Sequence, residues 1–241
     1  MIDTPQCILS APLIARLSEC HVTLLITNEH HQPILAQDRY HIEHQLQWLP
    51  ITIENIWQAI IQAKLLNQYR LLNKVTTSPK QPLLTDITDT IEANYAQYYF
   101  TQLFGANFTR HSYYENDINK QLNYAYMILV HHISTQITAH NYLPQLGIHH
   151  RANENHENLS CDLIEPFRPI IDEYVYNHRN NIFDNKCKHN LIEFLTEPIT
   201  FNHTNYETIF NALNAYVTYI LHALNNDLDI QINLAKEASN H

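Results

Sequence analysis

The chain has 241 residues, 45% of them apolar. That is enough to bury a core in one substantial domain, or in a small domain joined to a larger one, and it excludes wholesale disorder. The two glycines, Gly105 and Gly147, exclude phosphate-cradling loops of the P-loop and dinucleotide types; the formal charge of −10 argues against a nucleic-acid partner unless basic contacts are confined to one groove.

Met1-Ile2-Asp3-Thr4-Pro5 lacks the basic start and apolar stretch of an export signal. Residues 10–17 spell a short helix, with Ser10 as cap and Pro12 in the first turn. The β-branched run from His21 to Thr27 predicts a buried strand, with Cys7-Ile8-Leu9 as its nearest pairing candidate. Residues 37–49 are polar, closed by Pro50, and expected to be a connector. From about residue 52 the pattern turns helical: Ile56, Trp57, Ile60, Ile61, Lys64, Leu65, Gln68 and Leu72 keep the helical period until Ser78-Pro79-Lys80-Gln81-Pro82 breaks it. Residues 89–104 predict a second helix, stopped by Gly105. Residues 117–140 predict a long third, with Ile118, Leu122, Ala125, Leu129, Ile133 and Ile137 on one stripe. A further helix over residues 159–176 is interrupted by Pro166 and Pro169, and the last sizeable one covers residues 206–226. No run of about 18 apolar residues is present, so no membrane span is expected. Cys7, Cys20, Cys161 and Cys187 are scattered without a C-x-x-C pair, which points to reduced thiols of a cytoplasmic protein rather than disulfides or a thiolate zinc site. The expected fold is mainly α: a small α/β unit over residues 1–36, a linker over 37–50 and a helical domain over 51–241.

Three segments carry chemistry. Glu92 shares a stripe with Ala96, Tyr99 and Leu103, so its carboxylate must be solvated at a rim, paired with a base or bound to a cation. The plainer reading is a first-turn glutamate favoured by the helix dipole. In Leu146-Gly147-Ile148-His149-His150-Arg151, two imidazoles and a guanidinium follow a residue that permits a sharp turn. Imidazole ligates divalent ions and arginine clamps phosphate. With 17 histidines, however, adjacent pairs such as His30-His31 and His131-His132 also arise by chance. In the segment from Asn158 to Pro169, Asp162 and Glu165 project from one side of a helix bent by two prolines. Like charges that close repel unless a cation lies between them. Arg168, three residues beyond Glu165, offers either a phosphate contact or a plain surface ion pair worth under about 1 kcal/mol. Two carboxylates and one imidazole favour magnesium or manganese over zinc, and phosphodiester transfer is the natural reaction of such a set.

At these segments the chain resembles the CRISPR-associated integrase family, the catalytic subunit of the complex that captures new spacers, and its type II branch in particular. The resemblance rests on Glu92-Ala93-Asn94-Tyr95-Ala96-Gln97-Tyr98-Tyr99-Phe100, on Asp117-Ile118-Asn119 with Leu122-Asn123-Tyr124-Ala125-Tyr126, on Leu146-Gly147-Ile148-His149-His150, and on Asp162-Leu163-Ile164-Glu165-Pro166-Phe167-Arg168-Pro169. Where the family usually has glycine after the first ligand, this chain has Ala93. The resemblance implies that Glu92, His150 and Glu165 are the catalytic metal ligands for Mg2+ or Mn2+, with Asp162 an assisting acid. Lys120, Tyr124, Arg151 and Arg168 are candidate DNA contacts on chemistry. It also implies double-stranded DNA as substrate, a homodimer, a small companion adaptation subunit, and a β-rich N-terminal domain of which residues 1–36 are a remnant. Two rival readings are a helical metal-dependent phosphohydrolase acting on nucleotides, and an inactive truncated scaffold that only binds partners.

Overall fold

A computed structural model describes residues 10–20, 39–111, 116–152 and 155–235 of the chain. The expected strand over residues 21–27 and its partner over 7–9 lie outside the described residues. The architecture is mainly α, as expected, with a small three-stranded antiparallel sheet in its C-terminal part. Nine α-helices are described: α1 (Ala11–Glu19), α2 (Arg39–Leu46), α3 (Pro50–Val75), α4 (Asp89–Phe104), α5 (Asp117–Ala139), α6 (Asn158–Leu163), α7 (Arg168–Asn177), α8 (Asn185–Phe194) and α9 (Ile209–Asn226).

Two long helices organise the core. α3 packs against α4, α7 and α9, and α5 packs against α6, α7, α8 and α9. The stripe read from the sequence is the one that α3 buries: Ile56, Ile60, Leu65 and Leu72 are inaccessible, and Lys64 and Gln68 are buried among them. On α5, Leu122, Ala125, Leu129, Ile133 and Ile137 are likewise inaccessible. The helix starts follow from side-chain caps. Thr88 accepts from the Ile91 amide to begin α4, and Asn116 accepts from the Asn119 amide to begin α5. Gly105, at φ 98°, ends α4 in a region closed to most side chains.

The expected connector over residues 37–49 carries α2, and it is docked rather than loose. The Gln45 side chain donates to the Leu143 carbonyl at 2.9 Å and accepts from the Leu143 amide at 2.8 Å, and the Trp48 indole donates to Asn225 at 2.8 Å. Burial of these polar groups with partners supplied by distant chain made the segment helical, which its own weak periodicity did not announce.

The two prolines divide the helix expected over 159–176 into three pieces: α6, a single 3-10 turn over Glu165–Phe167, and α7. Each proline sits in the first turn of its piece, where its missing N–H costs no hydrogen bond. The Pro166 carbonyl accepts from Asn67 of α3 at 3.2 Å, and the 3-10 turn packs directly on α3. The break therefore swings Glu165 towards α3.

The sheet has the order β2-β1-β3, with β1 (Ile199–Phe201) pairing antiparallel to both β2 (Thr204–Tyr206) and β3 (Leu234–Ala235). Asn202 and His203 both have positive φ, 45° and 65°, the backbone twist that matches a two-residue hairpin. Among the described residues no helix is long and apolar enough to cross a membrane.

Candidate active site

The cluster is built on Lys64, a lysine in the buried stripe of α3. Its ammonium stands 2.5 Å from Glu92 Oε1 and 2.5 Å from Glu165 Oε2, so the two acids lie within twice that distance of each other. The contact to Glu92 is a directed hydrogen bond. The contact to Glu165 Oε2 is a buried ion pair at hydrogen-bonding distance. Arg168 Nε closes on the other Glu165 oxygen at 3.0 Å, and its guanidinium lies 4.7 Å over the Tyr126 ring. The Glu165 side chain is 6% exposed and that of Glu92 is 22% exposed, so the cluster runs from the interior to a rim.

Electrostatics follow from that packing. Burial disfavours ionised Glu165, but the charges of Arg168 and Lys64 outweigh it and hold the carboxyl below its ordinary range. Burial likewise opposes the Lys64 charge, and Glu165 and Glu92 overcome it, so the ammonium is held above its ordinary value. Glu165 and Lys64 are both charged at neutral pH.

His150 enters from the loop that precedes α6, and Asp162 holds that loop. One Asp162 oxygen accepts from the amides of Ile148 at 2.8 Å and His149 at 2.9 Å; the other accepts from the His150 amide at 3.1 Å and faces His150 Nδ1 at 2.5 Å. Gly147 is required there, because a Cβ at that position would meet Asp162 Oδ2 at 2.8 Å and crowd the His150 carbonyl. Asn158 closes the loop at both ends by donating to the carbonyls of Gln145 and Ala152. The hydrogen bond to Asp162 raises the His150 pKa against partial burial, with the charge of Glu165 adding to it. With Nδ1 fixed on a carboxylate, Nε2 is the nitrogen left for a ligand, the orientation usual for metal-binding histidines. No hydrogen bond joins it to the described residues. His149 is committed elsewhere: its ring stacks on Trp57 at 4.0 Å and 7°, with Nε2 3.4 Å from Asp89.

Among the described residues no three His, Cys, Asp or Glu side chains form one ready metal-sized cluster. The donors are of the kind that a divalent ion takes: two carboxylates gathered round one positive charge, with His150 near enough to Glu165 to feel its charge. The cation between the acids in this structure is the Lys64 ammonium.

Residues 86–190 match the family model described as CRISPR associated protein Cas1. The chain carries a Cas1-family domain. The CRISPR-associated endonuclease Cas1 of Neisseria meningitidis serogroup C (strain 8013) is 32% identical over 188 residues, 71% of this chain; the chain spans 61% of that relative's length. Two solved structures share the fold. A casposase bound to integration product aligns with TM-score 0.61 at 16% identity, covering 93% of this chain and 81% of that one. A Cas6-RT-Cas1–Cas2 complex aligns with TM-score 0.66 at 17% identity, covering 95% of this chain and 31% of that one.

Within the Cas1-family domain the expected residues fall into three groups. Glu92 and Glu165 meet at Lys64, and Arg168 braces Glu165. His150 stands beside them with Asp162 behind it, fully buried and oriented by its four contacts. Lys120, Tyr124 and Arg151 make no described contact with the cluster. Tyr124 packs on Phe183 and Lys188 at the side of α5 facing α8, Lys120 is half-buried in the first turn of α5, and Arg151 is exposed next to His150. Two features escaped the sequence reading. Lys64 was visible as a charged residue on an apolar stripe, which is the signal of a buried ion pair. Asp172, inaccessible and bonded by the hydroxyls of Tyr99 and Tyr126, had no such signal.

Proposed function

We propose that the chain acts on double-stranded DNA as a divalent-metal-dependent endonuclease and integrase, inserting spacers into a CRISPR array. The observation that carries this reading is the convergence of Glu92 and Glu165 on one positive charge beside a histidine whose Nδ1 is fixed by Asp162, inside a Cas1-family domain. Glu92, Glu165 and His150 Nε2 would hold the ion. When bound, magnesium or manganese supplies Lewis-acid polarisation of a phosphoryl oxygen and makes a hydroxyl or water a better nucleophile.

In the reaction proposed, a DNA 3′-hydroxyl attacks a phosphodiester at the repeat end. The new bond joins phosphorus to that 3′-oxygen, and the bond to the target strand's own 3′-oxygen breaks. The proton of the attacking hydroxyl ends on the leaving oxygen. Water in place of the hydroxyl gives a nick. No covalent enzyme intermediate is required, and burial holds the half-buried Cys161 thiol above its ordinary value. Asp162 keeps the His150 ring in one orientation, and Arg168 fixes the Glu165 carboxylate through its second oxygen. Exposed Arg151 beside the site, with Lys120 and Tyr124 on α5, are the proposed DNA contacts, so the basic footprint is local and compatible with an acidic chain.

A homodimer with a small companion subunit belongs to the same proposal. The companion subunit is supported by a structural neighbour from a Cas6-RT-Cas1–Cas2 complex, and DNA as substrate by another bound to integration product; the homodimer rests on the sequence resemblance. The test is integration of a labelled DNA duplex into a supercoiled plasmid carrying a CRISPR repeat, with manganese or magnesium and the companion subunit present. Joined, label-bearing open circles that disappear with Glu165→Gln are the expected result. Phosphate release from mononucleotides without joined or nicked plasmid would support the phosphohydrolase instead.

A further inference from the structure

Lys64 is an unusual residue for its position. It lies on the most buried face of α3, between Ile60, Ile61 and Leu65, none more than 1% exposed, where a lysine without partners would be strongly disfavoured. Its ammonium is not turned out to water along the flexible stem, the usual solution for such a side chain. It is turned inward, onto Glu92 and Glu165 together. Each carboxylate arrives from a different element, α4 and the 3-10 turn, so the lysine is the tie between them. Glu165 Oε2 is buried, and the ion pair with Lys64 compensates its charge.

These two carboxylates are also the ones that the functional reading above assigns to a divalent ion, and this inference rests on that reading. Two cations cannot occupy the space between them. Divalent magnesium holds carboxylate oxygens at about 2.0–2.1 Å, closer than the 2.5 Å at which the ammonium now stands. Like charge would repel the lysine from an ion seated there.

We propose that Lys64 is the resident counter-ion of the metal site: it holds Glu92 and Glu165 together in the metal-free protein and competes with the divalent ion for them. Metal loading is then an exchange, in which the ammonium leaves the carboxylates as the ion arrives. The four-carbon stem of lysine allows that movement without displacement of α3. The partly exposed Glu92 side, 22% accessible, is the open flank of the pair. Lys64 acts here as a positioning residue for the ligands rather than as a ligand or a reacting group.

The consequence is a definite effect on metal affinity. Lys64→Met keeps the length and apolar stem but removes the charge, and should tighten manganese binding by about tenfold or more, the equivalent of about 1.4 kcal/mol. The experiment is titration of the full chain with Mn2+, read from the electron paramagnetic resonance signal of the free ion, alongside thermal unfolding with and without Mn2+. Wild type and Lys64→Met are compared, each with and without Glu165→Gln. The expected result is tighter, Glu165-dependent binding in Lys64→Met. Its melting temperature should be lower than wild type without metal and should rise by more when metal is added. Lys64→Gln, which keeps N–H donors for the two acids but no charge, is read by the same criterion and serves if the methionine variant does not fold. Wild-type binding that depends on Glu165 and is unchanged or weakened by both substitutions overturns the counter-ion role while leaving the metal site standing. Absence of Glu165-dependent Mn2+ binding in every form overturns the metal reading, and the counter-ion role with it.

Discussion

Asp172→Asn isolates the network behind the active site. Asp172 of α7 is inaccessible and accepts hydrogen bonds from the hydroxyls of Tyr99 on α4 and Tyr126 on α5, so it ties three helices together. Arg168, which braces Glu165, stands over that same Tyr126 ring. Burial pushes the Asp172 pKa from 3.8 up to about 6, even though the two tyrosines and the charges of Arg110 and Arg168 pull the other way. The sign follows from linkage. Between 3.8 and about 6 the folded protein binds more protons here than the unfolded chain, so this group makes stability fall as pH rises through that window. At about 1.4 kcal/mol per pH unit, the full effect is about 3 kcal/mol, complete above about pH 6. Asparagine keeps one acceptor and adds a donor that the second tyrosine oxygen can accept, and it never ionises. Urea unfolding of wild type and Asp172→Asn should be followed from pH 4 to pH 8, with the difference between the curves taken at each pH so that other titrating groups cancel. The variant should gain on wild type by about 2.4 kcal/mol between pH 4 and pH 7, the part of the full effect that lies in that range, then run parallel to it. Parallel curves throughout, or a gain by wild type on raising the pH, would refute the reasoning, since either means that the ionised carboxylate is not disfavoured by its burial.

Three further outcomes concern the site itself. Glu165→Gln should abolish strand transfer and manganese binding while circular dichroism stays native. The amide keeps the volume, but Lys64 and Arg168 lose the charge they face, so a loss of stability of about 3–5 kcal/mol is expected in urea. His150→Ala should reduce integration far more than His149→Ala, whose cost is the Trp57 stack, about 0.5–1.5 kcal/mol of stability; the opposite ranking in the plasmid assay would assign the wrong imidazole to the site. Gly147→Ala forces a Cβ against Asp162 and the His150 carbonyl, and should cost about 1–3 kcal/mol by overpacking and lower integration with it. An alanine variant with wild-type melting temperature and activity would show that the loop has room which the geometry denies.

The long helices were legible because their determinants are local. Apolar spacing marked the buried stripes of α3 and α5, and Gly105 offered an end to α4. The helix α8 was missed because only Cys187, Leu191 and Phe194 anchor its ten residues, too short a stripe to stand out. The hairpin of β1 and β2 was missed because its turn is Asn202-His203, which adopts positive φ without a glycine to advertise it. The connector became α2 only because distant carbonyls and amides accept and donate to Gln45.

By itself the sequence determined which residues form the long helices, which faces those helices bury, and that Glu92, His150 and Glu165 belong to segments with chemical potential. Periodicity and caps act over a few residues, so they are written in the order of the chain. What only the tertiary structure decided is which side chains meet: that Lys64 stands between Glu92 and Glu165, that Asp162 faces His150 Nδ1 and three amides, and that Asp172 joins two tyrosines. Those pairings join residues as many as 101 positions apart. They depend on how helices pack against one another and on the turn that two prolines impose, and no local pattern specifies either.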